Sequence, residues 1–323
     1  MEENKEVKII EAKKESQKKS LKQSLMEFYD KKYKMLLVIP FIILFFSIAQ
    51  IGYQIYRTGD FINRDVSLKG GVTITIPYEK PVDITNLERQ IKLNFPDNDL
   101  VIRTLRASGT VVGLIVEADI DGNNKADVQK LLDSTGNAMH EDLTKIHYGI
   151  EIIGSSLGAS FFRESLVALA VAFLFMALVI FIYFRTFIPS VAVIVAAFSD
   201  MVFALAMVNI MGLRVGTAGI AAFLMLIGYS VDTDILLTVR VLKRKEGTVM
   251  DRIHSSIKTG MTETLTAIVV VVVAMIVTQS EVIRQIMIIL LWGLIADIFN
   301  TWIQNVGLLR LYVERKAKKG VII

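Results

Sequence analysis

The sequence predicts an α-helical polytopic membrane protein with six transmembrane helices and an external α+β ferredoxin-like (βαββαβ) domain between helices 1 and 2. Hydrophobic residues make up 53% of the chain and its mean hydropathy is +0.51. Whole windows of roughly 20 residues lack any charge, and a polar stretch with alternating strand-type and helix-type patterns separates the first two. These observations exclude a soluble globular protein.

The residues needed for redox, zinc or nucleotide chemistry are missing from the sequence. The chain has no cysteine, and its three histidines lack the spacing of metal ligands. It also has no nucleophile-base pattern, nucleotide-binding fingerprint or basic nucleic-acid patch. We therefore expect no enzyme activity, no metal, no other cofactor and no nucleic-acid partner.

Residues 1–34 are rich in lysine and glutamate, which predicts a cytoplasmic N-terminal tail with a surface helix. The first apolar run covers residues 35–56. It is too long for the apolar region of a signal peptide, and no small-x-small cleavage site follows it. We therefore expect it to be transmembrane helix 1.

Five later apolar runs predict the other transmembrane helices, which form a bundle over residues 161–311. These runs cover residues 164–184, 187–211, 216–239, 262–280 and 283–311. With the N-terminal tail inside, the basic loop Lys243-Arg244-Lys245 and the basic tail of residues 312–323 also lie inside. This satisfies the positive-inside rule and predicts a multi-pass plasma-membrane protein with both termini cytoplasmic. The basic segments also fit contact with anionic membrane lipid.

Residues 57–160 are expected to lie outside as one domain, in which acidic residues outnumber basic ones. The predicted order is strand, helix, strand, strand, helix, strand, at residues 72–76, 84–93, 100–105, 111–116, 121–132 and 148–153, with a turn at Ser108-Gly109. That is the ferredoxin-like order. The glycine- and serine-rich residues 154–160 are predicted to be a linker back to the membrane.

An external turn motif, made of Asp65, Gly70 and Gly71, precedes the first outer strand. Paired glycines permit a tight turn or a close approach of two backbones. The motif is not a phosphate-binding loop, because it leads into a strand rather than a helix.

Four carboxylates lie within the predicted transmembrane helices: Asp200 in the third, Asp232 and Asp234 in the fourth, and Asp297 in the sixth. Carboxylates in hydrocarbon are rare, and they either carry a proton or face partners and water inside the bundle. They are candidates for an ion or proton relay, with Asp232 favoured. The alternative is a structural role, in which each carboxyl is hydrogen-bonded between helices. The supporting polar residues are Ser230, Thr233, Thr262 and Asn300.

In this combination of features the chain resembles the archaeal type of the SecF family, within the SecD/SecF proteins and the resistance-nodulation-division superfamily. The resemblance covers nearly the whole chain after residue 34. It rests on the external domain opened by Asp65 and the two glycines, and on three runs: Phe198-Ser-Asp-Met201, Gly228-Tyr-Ser-Val-Asp232 and Leu294-Ile-Ala-Asp-Ile-Phe-Asn-Thr-Trp302.

Two departures from the bacterial members point to an archaeal type. Their fourth-helix pattern carries Asn-Asp, where this chain has Asp232-Thr233-Asp234. Their fifth helix begins with an arginine implicated in proton coupling, and the nearest positions here are Thr262 and Glu263.

The resemblance implies that the chain pairs with a separate SecD subunit in a pseudo-symmetric bundle, with the fourth-helix carboxylates at their interface. It would assist the export of unfolded secretory polypeptides through the Sec translocation channel, driven by the proton-motive force through Asp232. Two alternatives stay open. One is a non-transporting scaffold that stabilises SecD or the channel, which the missing arginine favours. The other is half of a small-molecule or lipid exporter of the same superfamily.

Overall fold

The computed structural model describes residues 26–319 except 81, 97, 108, 109 and 245. Most of the predicted N-terminal tail, the Ser108-Gly109 turn and Lys245 lie outside the described residues. The first described element is helix α1, residues 26–36, followed by the apolar helix α2, Val38–Thr58. Helix α1 contacts the C-terminal part of the chain, where Arg310 donates to the Asp30 carbonyl at 2.8 Å.

A small antiparallel sheet follows α2 in the chain. Its elements come in the order α3 (Val66–Lys69), β1 (Gly71–Pro77), α4 (Ile84–Lys92), β2 (Leu100–Ala107), β3 (Thr110–Ala118), α5 (Lys125–Met139) and β4 (Gly149–Ile153). Across the sheet the strand order is β2-β3-β1-β4, and each neighbouring pair is antiparallel. The predicted strands and the first predicted helix agree with the structure to within two residues at each end, whereas the second helix, predicted over residues 121–132, is Lys125–Met139.

The two faces of the sheet have different surroundings. On one face, alternate strand residues such as Ile74 and Leu114 pack with Ile91 of α4 and Leu131 of α5, and all four are 0% exposed. This period of two is what a strand with one buried face requires. The opposite face carries polar side chains, including Thr73 and Thr75, and points towards the ends of two membrane helices.

The remaining chain is helical and apolar. It forms α6 (Ser155–Phe184), α7 (Phe187–Ile210), α8 (Thr217–Lys243), α9 (Val249–Val277), α10 (Glu281–Phe299), a π-helical turn (Asn300–Asn305) and α11 (Val306–Lys318). Six helical segments are long and apolar enough to cross a membrane: α2, α6, α7, α8, α9 and the continuous segment from α10 to α11. The chain is therefore a mostly helical, multi-pass membrane protein.

Helices α7 and α8 occupy the centre of the bundle. In their most apolar windows 56% of the residues are buried, compared with 17% in α2 and α9 and 6% in α6. Small residues on α7, such as Ala192 and Ala196, are buried and allow neighbouring helices to approach closely. Polar side chains on the inner faces of α7 and α8 are thereby kept away from lipid.

A junction of backbone and side-chain bonds joins the sheet region to the start of α8. Asp65 N–H donates to the Val215 carbonyl at 3.1 Å, and Val215 N–H donates to the Asn63 carbonyl at 2.7 Å. Arg214 pairs with Asp99 at 2.7 Å. We refer to these contacts as the outer junction.

The predicted linker at residues 154–160 is wrong. Helix α6 begins at Ser155, and Gly154 is its extended N-cap residue. Gly158 lies against the backbone of Lys69 and Gly70, so its missing side chain serves close packing rather than flexibility. In the predicted C-terminal tail, α11 continues as a helix to Lys318.

Candidate functional site

Three of the four predicted carboxylates meet inside the helical bundle. Asp200 on α7 and Asp234 on α8 are 0% exposed, and Asp297 on α10 is 1% exposed. Asp297 lies within electrostatic reach of both other carboxylates. We call these residues the buried carboxylate cluster.

Asp200 is held by side chains from two other segments. Ser230 Oγ on α8 donates to Asp200 Oδ2 at 2.5 Å, and Asn300 Nδ2 in the π-helical turn donates to Asp200 Oδ1 at 2.7 Å. Ser230 lies four residues before Asp234, so both side chains point from the same face of α8. The cluster thus joins α7, α8 and the last membrane segment.

Asp297 accepts hydrogen bonds from two threonine hydroxyls. Thr301 Oγ1 donates to Asp297 Oδ1 at 2.7 Å, and Thr264 Oγ1 on α9 donates to Oδ2 at 3.3 Å. The Thr301 hydroxyl also lies near Asp234. Helix α9 is therefore tied to the cluster.

Asp234 has one amide partner and one unsatisfied oxygen. Asn305 Nδ2 donates to Asp234 Oδ1 at 2.7 Å. Among the described residues, neither Asp234 Oδ2 nor Asn305 Oδ1 has a hydrogen-bond partner, although both atoms are buried. Two adjacent, buried acceptors without donors are costly, and a proton or a cation would satisfy them.

The π-helical turn presents a row of amide and hydroxyl side chains to the cluster. Asn300, Thr301, Gln304 and Asn305 are each at most 4% exposed. Gln304 also approaches Ser199 of α7 at 3.4 Å, next to Asp200. π-helical turns are rare and concentrate at functional sites.

Asp232, the favoured residue of the sequence analysis, lies outside the cluster. It is exposed on the surface of α8 and has no hydrogen-bond or ion-pair partner among the residues that the structure describes. Asp234 is therefore the fourth-helix carboxylate that faces inward within this chain, and the relay role of Asp232 stays a prediction.

The predicted supporting residues divide in the same way. Ser230 and Asn300 contact the cluster. Thr233 is 4% exposed and packs beside Gly260 of α9. Thr262 is exposed, and its hydroxyl donates to the Lys258 carbonyl at 2.8 Å. In the described part of the chain, neither threonine bonds to the cluster.

A second polar region faces away from the bundle. Tyr229 of α8 is 50% exposed, and Asp232 and Glu263 of α9 are exposed as well. A groove of about 810 Å³ lies beside α8, α9 and α10, and it is lined by Tyr229, by polar side chains of α9 and by apolar side chains of α9 and α10. We call Tyr229, Asp232, Thr262 and Glu263 the outward polar surface.

The external turn motif closes the start of the sheet region. Asp65 caps α3 by accepting from Ser67 N–H at 2.8 Å. Gly70 and Gly71 have φ of +88° and +135°, and a Cβ on Gly70 would strike the backbone of Ser155. The motif thus brings the sheet region close to the first turn of α6.

The sequence analysis missed several polar contacts. Thr264, Ser199 and Gln304 belong to the surroundings of the buried carboxylate cluster. The signal for Gln304 was available, because the polar positions of the last membrane segment recur at helical spacing: 297, 300, 301, 304 and 305. The signal for Thr264 was not, since it lies alone among exposed threonines on α9.

An ion-pair network beneath the sheet was also missed. Arg103 on β2 pairs with Glu117 on β3 and, at 3.3 Å, with Glu281 at the start of α10. Burial raises the pKa of the Glu117 carboxyl above its ordinary value, and the neighbouring Arg103 guanidinium only partly offsets this. Long-range ion pairs of this kind leave no local pattern in a sequence.

Metal ligation finds no support in the described residues. They contain no group of three or more histidine, cysteine, aspartate or glutamate side chains arranged to hold a metal ion.

The chain is similar to curated proteins along most of its length. It is 36% identical over 296 residues to the protein-export membrane protein SecF of Methanocaldococcus jannaschii, covering 90% of this chain and 99% of that protein. It is 34% identical over 299 residues to SecF of Pyrococcus furiosus, covering 93% and 97%.

The fold is similar to that of a solved structure, SecDF from Thermus thermophilus, described as a translocon-associated membrane protein. The TM-score is 0.67 at 16% sequence identity, and the match covers 88% of this chain and 38% of that longer one. The family described as "Protein export membrane protein SecD/SecF, C-terminal" matches residues 133–315, which include all three carboxylates of the cluster. The chain therefore belongs to the SecD/SecF family of protein-export membrane proteins, and its relatives of similar length are named SecF.

Proposed function

We propose that this chain assists protein export across the cytoplasmic membrane by moving protons through the buried carboxylate cluster. The observation that carries the proposal is the meeting of Asp200, Asp234 and Asp297 at membrane depth, each bonded to an amide or hydroxyl donor from another helical segment. Family membership supports the export role, and proton binding at the cluster would couple export to the proton-motive force.

The charge of the cluster supports ion binding. The hydrogen-bond donors that reach the three carboxyls are neutral hydroxyl and amide groups. Negative charges that share a dry interior repel one another strongly, so the cluster is most stable when a proton or cation reduces its charge. Binding and release would change which helices the side chains hold together, which favours one bundle arrangement over another.

The outward polar surface supports association with a separate SecD subunit. Asp232 and Glu263 are exposed on helices that are otherwise apolar enough to lie in lipid. Carboxylates at this depth need partners or water. A SecD helix bundle docked on α8 and α9 would cover them, which gives Asp232 a role at the interface rather than within the relay.

The strand order β2-β3-β1-β4 supports a ferredoxin-like fold for the sheet region, which we assign to residues 59–154 outside the membrane. Its helical neighbours would be transmembrane helix 1 and the bundle from residue 155 to about residue 311. The basic loop after α8 and the basic end of α11 support cytoplasmic termini. On this topology the outer domain would meet the unfolded polypeptide leaving the Sec channel, while the basic ends contact lipid.

A pair of substitutions tests the proposal. Asp234→Asn keeps the size of the side chain but cannot carry a negative charge, and Asp232→Asn makes the same change two residues away. Export of a secreted reporter, membrane levels of this chain and recovery of SecD with it are measured in cells that hold each variant as the only copy.

We expect Asp234→Asn to abolish most export at normal membrane levels and normal SecD recovery. Asp232→Asn should instead reduce SecD recovery. Normal export with Asp234→Asn, and likewise with Asp297→Asn, would remove the relay from the mechanism.

A scaffold function is the second candidate, and one observation favours it. Asn300, Thr301 and Asn305 already give each carboxyl of the cluster a hydrogen bond, as a purely structural set of contacts would. A scaffold predicts that the Asp234→Asn variant exports normally but melts at a lower temperature. The relay predicts lost export with little change in melting temperature.

A further inference from the structure

The polar face of the sheet and the outer ends of two membrane helices enclose a cavity of about 380 Å³. One wall is formed by side chains of all four strands, and the other by the first turns of α8 and α10. The cavity lies beside the outer junction, so its position relative to the bundle is fixed by the bonds from Asp65 to Val215. It is separate from the buried carboxylate cluster.

The cavity lining carries an excess of negative charge. Its carboxylates are Asp65, Glu117, Glu151 and Glu281, whereas Arg103 is its one basic residue among the described lining residues. The Arg103 guanidinium is shared between Glu117 and Glu281, so one of these two negative charges is not neutralised. Glu151 is exposed and has no ion-pair partner within the described part of the chain.

Two of these carboxylates lie on the strands that flank β1, opposite the same β1 residue. Thr73 on β1 is opposite Glu117 on one neighbouring strand and opposite Glu151 on the other. Neighbouring strands are about 4.8 Å apart, so the two glutamates are separated by roughly 10 Å, with a threonine hydroxyl between them. This is a separation between backbones, and the flexible glutamate side chains can bring their carboxylates closer to a cationic group placed between them.

Two buried atoms of the cavity lack partners in the described residues. Glu117 is 5% exposed, and its Oε2 accepts no hydrogen bond. Arg103 Nε likewise donates none. Both atoms are covered by protein, so a ligand that offers a positive donor and a carbonyl acceptor would satisfy them only when these two side chains turn into the cavity.

We propose that this cavity binds a lysine or arginine side chain of an extended polypeptide, with the adjoining peptide carbonyl towards Arg103. The inference rests on the proposed export function, since it makes basic segments of the exported chain the substrate that the outer domain contacts. Polypeptide is the ligand that supplies a cationic side chain and a peptide carbonyl side by side. A lipid with an amine head group is the competing source of the same charge.

The test uses the full-length chain, purified and placed in lipid nanodiscs without SecD and without an ion gradient. The probe is a fluorescein-labelled decapeptide of alternating lysine and alanine, compared with a peptide in which glutamine replaces lysine. Binding is followed by fluorescence anisotropy for wild type, Glu151→Gln and the matched control Asp133→Asn. Asp133 is an exposed carboxylate on α5, at the other side of the sheet.

We expect the lysine peptide to bind more tightly than the glutamine peptide, and Glu151→Gln to weaken it about threefold to fivefold, as for one partly exposed ion pair. Asp133→Asn should leave the affinity unchanged. Glu151 makes no ion pair among the described residues, so we expect the Glu151→Gln protein to fold normally. Equal weakening by the two substitutions, or equal binding of the two peptides, would overturn the proposal.

A labelling experiment locates the bound peptide. Because the natural chain lacks cysteine, Thr75→Cys puts a single thiol in the cavity wall and Asp133→Cys puts one on the opposite side. The lysine peptide should slow maleimide labelling at position 75 and not at position 133. Protection that appears instead with amine-headed lipid alone, and does not increase with peptide, would assign the cavity to lipid and contradict the proposal.

These measurements need neither SecD nor a proton gradient. Failure of peptide binding therefore leaves the relay proposal standing, and loss of the relay leaves peptide binding measurable.

Discussion

Asp232 and Asp234 occupy the same helix two residues apart, and that spacing gives them opposite surroundings. Two residues rotate an α-helix by about 200°, so a side chain that faces the bundle leaves the other facing outwards. Asp234 meets Asn305, whereas Asp232 lies on the exposed face with Tyr229. The two side chains are chemically identical, and their different surroundings follow from the direction in which each one points.

A prediction at this scale concerns Gly70. Gly70→Ala should destabilise the protein by about 1–3 kcal/mol, because φ is +88° and the added methyl group meets the Ser155 backbone. Gly149→Ala is the matched control, since a Cβ there has open space within 4 Å. Thermal unfolding of the purified variants measures both effects, and equal melting temperatures for the two would contradict the assignment.

The sequence predicts which residue types form the site, but it does not predict whether each side chain points into the bundle or away from it. An aspartate within an apolar run is visible in the sequence because it is a charged residue type among apolar ones. Helix α8 is apolar on nearly all sides, so its sequence carries no strong periodic signal for the face that points inward. The choice between Asp232 and Asp234 depends on how α8 packs against α7 and the π-helical turn, which is a property of the assembled bundle.

At the scale of elements, the last membrane segment is interrupted by a π-helical turn and carries five buried polar side chains, at positions 297, 300, 301, 304 and 305. The sequence predicts it as one continuous helix over residues 283–311, and the structure interrupts it with the π-helical turn. The wider turn brings Asn300 and Asn305 to different carboxylates of the cluster. Hydropathy cannot reveal such a turn. The mean hydropathy of a segment depends on which residues it contains and not on whether their backbone bonds follow the α-helical or the π-helical pattern.

Packing of α9 against this turn gives a second prediction. Gly260 lies directly against the ring of Trp302, and an added side chain would also come within 3.1 Å of Thr233. Gly260→Val should therefore lower stability by about 1–3 kcal/mol through overpacking and reduce export by displacing the π-helical turn. Gly52→Val on α2, where a Cβ has open space, controls for helix propensity.

The measurements are thermal unfolding and reporter export. A Gly260→Val protein as stable and as active as the Gly52→Val protein would show that the Trp302 contact does not hold the turn in place.

For the whole molecule, the outer junction joins the sheet region to the helical bundle. Asp99 pairs with both Arg214 and Lys69. Burial alone raises the pKa of Asp99, but these two cations outweigh it and hold that pKa below its ordinary value. The junction is therefore electrostatic as well as backbone-bonded.

This shift gives a prediction for pH. A carboxylate whose pKa is lowered in the folded state contributes stability above its ordinary pKa of about 4, and that contribution is lost as the pH falls through the lowered value. Wild type should exceed Asp99→Asn in melting temperature at pH 6, and the difference should shrink as the pH is lowered towards 3. A difference that stays constant or widens in acid would rule out the ion pairs as its source.

The bond between Asp65 and Val215 also has a consequence for biogenesis. The two residues are separated by 150 positions in the chain. A ribosome must complete α6 and α7 and reach Val215, just before α8 begins at Thr217, before this bond can form, so the sheet region is synthesised well before its partner in the outer junction. During that interval the nascent sheet region has its own apolar core and, once α6 is made, the close contact of Gly70 with Ser155, but it lacks the bond to Val215.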